Sequence, residues 1–256
     1  MYKIDFSKPI HIHFIGIGGI SMSGLAEILH EEGFTISGSD SKESDLTKTL
    51  AAKGIKVIYG QSADNITSDI DLVVYTAAIH ESNPEFAAAK AAGIPMLTRA
   101  ELLGQIMDNY DYSIAVAGTH GKTTTTSMIS EILLAAQTDP TISVGGILSS
   151  IHGNLRVGDS EYFISEACEY TNSFLNFRPR YSIILNIEAE HLDFFKDIND
   201  IRHSFREYAS NTLAGGATII NGEIDRYEEI VAGLPQKIIL SLIHISEPTR
   251  LPLISY

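Results

Sequence analysis

The feature that most constrains this chain is a glycine-rich turn set between a short apolar run and a helical pattern. The turn reads Gly118-Thr119-His120-Gly121-Lys122-Thr123-Thr124. Residues 113–117, apolar after Ser113, form a run short enough for a buried strand, and apolar residues recur at helical spacing from 128 to 133. Such a turn suits an anion, because its N–H groups and the positive end of the helix point at one place. The alternative is a glycine-rich turn before an ordinary helix.

Two side chains of this turn indicate that the bound anion is a nucleoside triphosphate. In a phosphate loop, a lysine such as Lys122 reaches the β- and γ-phosphates, and a hydroxyl such as that of Thr123 binds Mg²⁺. The general pattern has a glycine five residues before Gly121, where this chain has Val116. The sequence therefore predicts a shorter variant of the phosphate loop.

A second glycine-rich turn follows a predicted strand at 10–15 and precedes a helical pattern that ends near Gly33. It reads Gly16-Ile17-Gly18-Gly19-Ile20-Ser21. Asp40 closes the next strand, where a ribose-binding acid lies in dinucleotide-binding folds. Ser21 stands where that fingerprint has glycine, so a nicotinamide cofactor, another nucleotide and a purely structural turn all remain open.

Polar residues also follow the predicted strand at 72–75. Thr76 and the free N–H groups after it suit the oxygens of a nucleotide. Further on, Asn83 precedes Pro84, and Arg99 lies in another polar segment. Asn83 before Pro84 is a good helix start in any protein, so a ligand-binding role for Asn83 competes with a structural one.

The second half of the chain has acidic and histidine residues at two strand ends. Glu166 follows a predicted strand at 162–165, and His191 lies shortly after one at 181–185. Mg²⁺ prefers carboxylates and keeps waters, so Glu166 is a suitable ligand, whereas His191 is a less usual one. On chemistry alone, His191 is more often a polar loop residue.

Together these motifs resemble those of the Mur ligase family, the ATP-dependent amide-bond-forming enzymes of peptidoglycan synthesis. The phosphate loop at 118–124, the turn at 16–21 and the Asn-Ile-x-x-x-His-x-Asp segment at 186–193 carry the resemblance, which covers roughly residues 10–239. The turn at 16–21 and the glycine pair at 145–146 are similar to those of one branch, which adds L-alanine to UDP-N-acetylmuramate. In that branch the glycine pair lies near the sugar.

The resemblance implies an α/β protein with a Rossmann-like UDP-binding domain, followed by an incomplete P-loop-type ATPase domain with a central, mostly parallel sheet. It implies ATP and Mg²⁺ as cofactors, and UDP-N-acetylmuramate and L-alanine as the other substrates. Lys122, Glu166 and His191 would be catalytic, and Thr123, Glu166 and His191 would bind the metal. The implied ATP-binding residues are Gly118, Thr119, His120, Gly121, Lys122, Thr123 and Thr124. The implied UDP-sugar-binding residues are Gly16, Gly18, Gly19, Ile20, Ser21, Asp40, Thr76, Ala77, Ala78, Asn83 and Arg99.

Composition and net charge limit the classes of partner that this chain can bind. The net charge of -14 argues against binding to nucleic acid or to an anionic membrane surface. The single cysteine allows no intrachain disulfide, and no apolar run is long enough to span a bilayer. We therefore expect a cytoplasmic protein.

A polar stretch at 107–111 predicts a domain boundary. We expect a UDP-sugar-binding domain at 1–108 and a partial ATP-binding domain at 109–239. Residues 240–256 resemble a translated sequencing adaptor, and a natural divergent tail is the alternative. If they are adaptor-derived, the central sheet is incomplete and we expect this chain to be an inactive fragment.

Two other functions remain open. An NAD-dependent oxidoreductase would explain the turn at 16–21 and Asp40, but it leaves the loop at 118–124 without a role. A sister ligase that attaches a recycled peptide to UDP-N-acetylmuramate shares the overall plan. The opening glycines at 16–19 favour the alanine-adding branch.

Overall fold

The chain folds around two β-sheets that follow one another in sequence. The structure is a computed structural model and describes residues 2–76 and 78–241. The first sheet has five parallel strands: β1 His11–Ile15, β2 Thr35–Asp40, β3 Lys56–Tyr59, β4 Leu72–Tyr75 and β5 Met96–Thr98. Their spatial order is β3-β2-β1-β4-β5, which is Rossmann-like.

This order brings two predicted ligand-binding segments to one place. β1 pairs with β2 on one side and with β4 on the other, and the order of the strands reverses between β1 and β4. In open parallel sheets, ligands bind in the crevice at the carboxyl ends of the strands beside this reversal. The glycine turn after β1 and the segment after β4 therefore share one edge of the sheet.

In the described part of the chain, the second sheet has seven strands in the order β12-β11-β10-β6-β9-β7-β8. The strands are β6 Tyr112–Ala117, β7 Thr141–Leu148, β8 Gly153–Arg156, β9 Tyr162–Ala167, β10 Tyr181–Ile184, β11 Ala217–Asn221 and β12 Lys237–Ser241. Every neighbouring pair is parallel except β7 with β8. The prediction of an α/β chain with a mostly parallel central sheet is thus confirmed. β12 includes the first two residues of the predicted tail, and 242–256 lie outside the described residues.

Within residues 2–76 and 78–241, seven α-helices connect and cover the strands. They are α1 Ile20–Glu31, α2 Asp45–Ala52, α3 Pro84–Ala92, α4 Arg99–Met107, α5 Lys122–Ala135, α6 Ile198–Ser210 and α7 Tyr227–Val231. A capping box starts α4, because Thr98 Oγ1 accepts from Glu101 N while the Glu101 carboxylate accepts from Thr98 N. Among the described residues, no helix combines the length and apolarity needed to cross a membrane.

The two sheets share a hydrophobic core. One cluster of buried residues contains Ile12 of β1 together with Ala115 of β6. Tyr110, in the segment between the sheets, lies 5.9 Å from the Phe6 ring and 5.1 Å from the Phe163 ring, measured between centroids. Aromatic packing therefore connects the N-terminal segment to the second sheet.

The apolar pattern of α5 is only partly buried. Ile129 and Leu133 pack against a separate core cluster built on β7 and β9. Met128 and Ile132 belong to the same sequence pattern but are 61% and 66% exposed. The helix is confirmed, whereas its buried face is narrower than the sequence predicts.

Tyr208 fixes α6 to the centre of the second sheet. Its ring is fully buried and stacks on Phe174 at 4.8 Å, and its hydroxyl donates to Ala115 O at 2.8 Å. Burial raises the pKa of this phenol above its usual range, so the hydroxyl stays a donor.

We expect Tyr208→Phe to lower the free energy of unfolding by about 1 kcal/mol, because it removes one buried hydrogen bond without changing the ring. Urea unfolding measures this. Tyr59→Phe is the matched control, since Tyr59 is 45% exposed and its hydroxyl donates to Thr47 Oγ1 at 3.2 Å. An equal loss of unfolding free energy in both variants would show that the buried hydrogen bond of Tyr208 contributes no more than an exposed one.

Candidate active site

The phosphate loop lies between β6 and α5. Gly118 and Gly121 have φ values of +142° and +82°, which side chains disfavour, so both positions require glycine. α5 begins at Lys122, and no described side chain caps its first turn. The N–H groups of that turn are therefore directed towards the loop, as a bound anion requires.

The end of β10 holds the loop in place. Asn186 Oδ1 accepts from His120 N at 2.8 Å, and Asn186 Nδ2 donates to His120 O at 3.0 Å. Thr119 N donates to Asn186 O at 3.2 Å, and Glu188 N donates to Thr119 Oγ1 at 2.9 Å. Asn186 has no role among the residues predicted from the sequence, although it stands at a strand end and opens the segment that contains His191.

Lys122 is bound to a glutamate that the sequence analysis did not assign. Its ammonium donates to Gly118 O at 2.5 Å and to Glu169 Oε2 at 2.9 Å. Glu169 is 2% exposed, and its Oε1 lies 3.8 Å from His191 Nε2. The predicted catalytic residues Lys122 and His191 are thus both close to one buried carboxylate.

Thr123 and Glu166 meet at the glycine pair of β7. Gly145 N donates to Glu166 Oε1 at 2.5 Å, and a Cβ on Gly145 would lie 2.9 Å from Glu166 Oε2. A Cβ on Gly146 would lie 3.2 Å from the Thr123 methyl group. The glycine pair therefore makes room for these two side chains. That it lies near a sugar stays a prediction.

The oxygen donors of Thr123 and Glu166 fit a hard cation such as Mg²⁺. His191 instead contacts Glu169 and packs against the Tyr170 ring, with ring centroids 4.6 Å apart. Across the described residues, no group of three or more His, Cys, Asp or Glu side chains is arranged to hold a metal ion. Metal binding by Thr123, Glu166 and His191 together therefore stays a prediction.

A cavity of about 390 Å³ adjoins the phosphate loop. It is bordered by His120 and Gly121 of the loop, by Ile183 and Ile219 of the sheet, and by the amide of Asn221. The cavity combines apolar walls with hydrogen-bonding groups, the usual lining of a site for a heterocyclic base.

The first glycine turn is fixed by the end of β2. Gly16 N and Ile17 N both donate to Ser39 O at 2.9 Å, and Gly18 N donates to Asp40 Oδ2 at 2.9 Å. The Asp40 carboxylate thus supports the turn, a contact that its predicted ribose-binding role does not include.

The first turn of α1 directly follows this glycine turn. Gly19 is the N-cap of α1, and Ile20, its first residue, is 64% exposed. Arg99, at the start of α4, donates from Nη1 to Ser21 Oγ at 3.1 Å. The structure therefore brings a guanidinium to the first turn of α1.

Of the predicted ligand-binding residues after β4, some form a turn at the end of the strand and one caps a helix. Thr76 O accepts from Ile79 N at 3.0 Å, so a turn that includes Ala78 follows the strand, and Ala77 lies outside the described residues. Asn83 Oδ1 accepts from Glu85 N at 2.9 Å as the N-cap of α3. The structure shows the helix-capping role of Asn83, the alternative left open above.

A buried polar network lies beneath the first glycine turn. Glu85 is fully buried; its Oε2 accepts from Ser39 Oγ and its Oε1 from Asn65 Nδ2, both at 2.5 Å. Burial alone would raise the pKa of the Glu85 carboxyl, but the His13 imidazole, whose Nε2 lies 3.8 Å from Oε1, and the hydrogen bonds from Ser39 and Asn65 outweigh it and lower that pKa. Glu85 is therefore connected through Ser39 to the turn.

Comparison with known proteins assigns the family. Residues 11–111 match the Mur ligase family, catalytic domain, and residues 116–248 match the Mur ligase middle domain. The chain belongs to the Mur ligase family.

Three relatives describe its place in that family. The chain is 99% identical over 239 residues to the UDP-N-acetylmuramate–L-alanine ligase of Agathobacter rectalis, covering 93% of this chain and 52% of the relative. The structure of a UDP-N-acetylmuramate-alanine ligase from Thermotoga maritima is 31% identical, with a TM-score of 0.74 over 91% of this chain and 53% of that one. A UDP-N-acetylmuramate:L-alanyl-gamma-D-glutamyl-meso-diaminopimelate ligase from Neisseria meningitides is 29% identical, with a TM-score of 0.81 over 91% of this chain and 78% of that one. The chain spans about half the length of the curated relatives it matches.

We expect Asn186→Ala to loosen the phosphate loop, because the backbone of His120 loses both of its partners on that side chain. Amide hydrogen exchange at His120 should quicken by about tenfold, the effect of losing roughly one hydrogen bond. Asn186→Asp is the matched control, since it keeps the acceptor for His120 N. Unchanged exchange in Asn186→Ala would show that the loop is held by other contacts.

Proposed function

We propose that this chain carries the UDP-sugar-binding and ATP-binding parts of a UDP-N-acetylmuramate–L-alanine ligase of peptidoglycan synthesis. The observation that carries the proposal is the phosphate loop, which β10 anchors and which presents Lys122 and Thr123 beside two carboxylates. The 99% identity to the A. rectalis ligase supports the choice of substrates. The first part corresponds to 1–108 and the second to 109–239, and the activity belongs to the longer, cytoplasmic protein.

The reaction proceeds through an acyl phosphate. A carboxylate oxygen of the UDP-sugar attacks the γ-phosphorus of ATP, and ADP leaves with the electrons of the broken bond. The amine of L-alanine then attacks the acyl carbon, loses a proton and displaces inorganic phosphate. Activation by ATP is needed because a free carboxylate is a poor electrophile.

The residues of the second sheet bind and orient the triphosphate. The Lys122 ammonium and the N–H groups at the start of α5 bind the β- and γ-phosphates. Thr123 and Glu166, together with His191 as the sequence predicts, would hold Mg²⁺, which would neutralise charge on the phosphates. The cavity beside His120 and Asn221 accommodates the adenosine.

The crevice of the first sheet binds the UDP-sugar. The backbone of residues 16–21 approaches the diphosphate, and the Arg99 guanidinium pairs with it. Thr76 and Ala78 lie across the crevice, just after the end of β4. Asp40 Oδ1, whose hydrogen bonds from Ser41 Oγ and Lys42 N are long at 3.4 and 3.5 Å, would accept from a ribose hydroxyl.

The two alternatives are less well supported. An oxidoreductase leaves the anchored loop at 118–124 unused. The sister ligase shares the fold, as the N. meningitides structure shows. Five curated relatives at 55% to 99% identity are named UDP-N-acetylmuramate–L-alanine ligases, which favours alanine as the amine.

Lys122→Ala should lower the rate of ligation by at least about a hundredfold, because it removes one preorganised charge at the phosphates. The protein for this test continues residues 1–239 with the remainder of the A. rectalis relative, and alanine-dependent ADP release is measured. Lys196→Ala is the matched control, since Lys196 is exposed and lies outside the loop. Near-normal turnover in Lys122→Ala would refute the assignment.

The 256-residue chain should bind UDP more tightly than NAD, which calorimetry measures directly. Arg99→Ala should weaken UDP binding by about tenfold, because a charge-assisted hydrogen bond to the diphosphate is lost. Lys196→Ala serves again as the control for the loss of one positive charge. Tighter binding of NAD than of UDP would instead favour the oxidoreductase.

A further inference from the structure

The Lys122 ammonium is fully engaged within the protein. An ammonium has three N–H donors. Those of Lys122 are directed to Gly118 O at 2.5 Å, to Thr119 O at 3.3 Å and to the Glu169 carboxylate at 2.9 and 3.2 Å. A phosphate therefore has to replace at least one of these acceptors.

The Glu169 carboxylate needs the lysine as its counter-charge. The side chain of Glu169 is 3% exposed and that of Lys122 is 17% exposed. The remaining basic group among the described contacts of Glu169 is His191, at 3.8 Å. Breaking a buried ion pair leaves an uncompensated charge, which is strongly unfavourable.

The backbone around Glu169 is held firmly. Thr171 and Asn172 have φ values of +53° and +57°, and Asn172 N donates to Glu169 O at 2.9 Å. Phe174, five residues after Glu169, is fully buried against Phe205 and Tyr208. Strained dihedral angles persist only where packing enforces them, so Glu169 lies on a rigid segment.

We propose that Glu169 is a positioning residue for Lys122, holding the ammonium at the phosphate loop both before and after the nucleotide binds. The two loop carbonyls are neutral acceptors, and phosphate oxygens replace them. The charged, buried carboxylate keeps its hydrogen bond to the lysine. The part of this proposal that concerns bound nucleotide rests on the proposed ATP-binding function of the loop.

The first test uses the nucleotide-free 256-residue chain and is independent of ligase activity. An amine-reactive N-hydroxysuccinimide ester labels lysines, and mass spectrometry follows the labelling of Lys122. We expect labelling about tenfold faster in Glu169→Gln, which corresponds to the loss of one charge-assisted hydrogen bond. Glu190→Gln is the matched control, because it removes the same charge near His120 without touching Lys122. An unchanged rate in Glu169→Gln overturns the proposal.

The second test is a double-mutant cycle in the full-length protein. Glu169→Gln should lower kcat about tenfold, while the KM for ATP and the Mg²⁺ concentration for half-maximal rate change by less than about threefold. In a Lys122→Met background, Glu169→Gln should have little further effect, because both residues act through one ammonium. Independent effects, or a large rise in the Mg²⁺ requirement, would overturn the positioning role and favour direct metal binding.

Further measurements separate a failure of the positioning role from misfolding of the variant and from a failure of the proposed function. Circular dichroism and Tm establish that Glu169→Gln is folded, and Glu169→Asp, which keeps the charge on a shorter side chain, replaces it if it is not. A failure of the proposed function appears as unaltered turnover in Lys122→Ala, whereas the labelling of Lys122 still responds to Glu169.

Discussion

Parallel pairing around β6 is the constraint on which the candidate active site depends. β6 pairs with β9 on one side and with β10 on the other, so three strands end at the same edge of the sheet. The register places Val116 beside Glu166 and Ala117 beside Ile184. A shift of one residue would turn the Glu166 side chain to the opposite face. The phosphate loop, the Glu166 carboxylate and Asn186 lie together because of this pairing.

The negative charge around the phosphate loop limits which ligands can bind there. Glu166 and Glu169 lie close to the loop, and the carboxylates of Glu188 and Glu190 lie 3.5 and 3.6 Å from His120. One ammonium and one helix N-terminus face these four carboxylates. A polyphosphate adds further negative charge, so its binding is favourable only together with a cation. Under the proposed function, the surroundings of the loop would therefore link nucleotide binding to the binding of a divalent cation.

The strand–turn–helix units of this fold were predictable from the sequence, because the residues that determine each unit are close together in the chain. The strand, glycine turn and helix around Gly16 and around Gly121 follow from apolar periodicity and turn chemistry. Glu166, as a residue at a strand end facing the loop, follows from the alternation of strands and helices. Periodicity alone could not determine which face of α5 is buried, because that depends on where β7 and β9 pack.

Contacts between distant residues were not predictable in the same way. Glu169 lies 47 residues from Lys122 in sequence, and Asn186 lies 66 residues from His120. No sequence pattern distinguishes a carboxylate that binds a lysine from one that faces solvent. Asp40 illustrates the same difficulty, since only the structure shows that it accepts from Gly18 N. Such partnerships arise from the packing of whole elements.

Backbone strain gives a further reason to place function at this edge. Thr171, Asn172 and His191 all adopt positive φ without being glycine, a conformation that needs support from the surrounding structure. Tyr170 provides support between the two segments, because its ring packs against His191 and its hydroxyl donates to Asp193 Oδ2 at 2.8 Å. Each strained segment thus braces the other. As a consequence, the buried carboxylate of Glu169 and the imidazole of His191 face each other at the edge of the sheet that carries the phosphate loop.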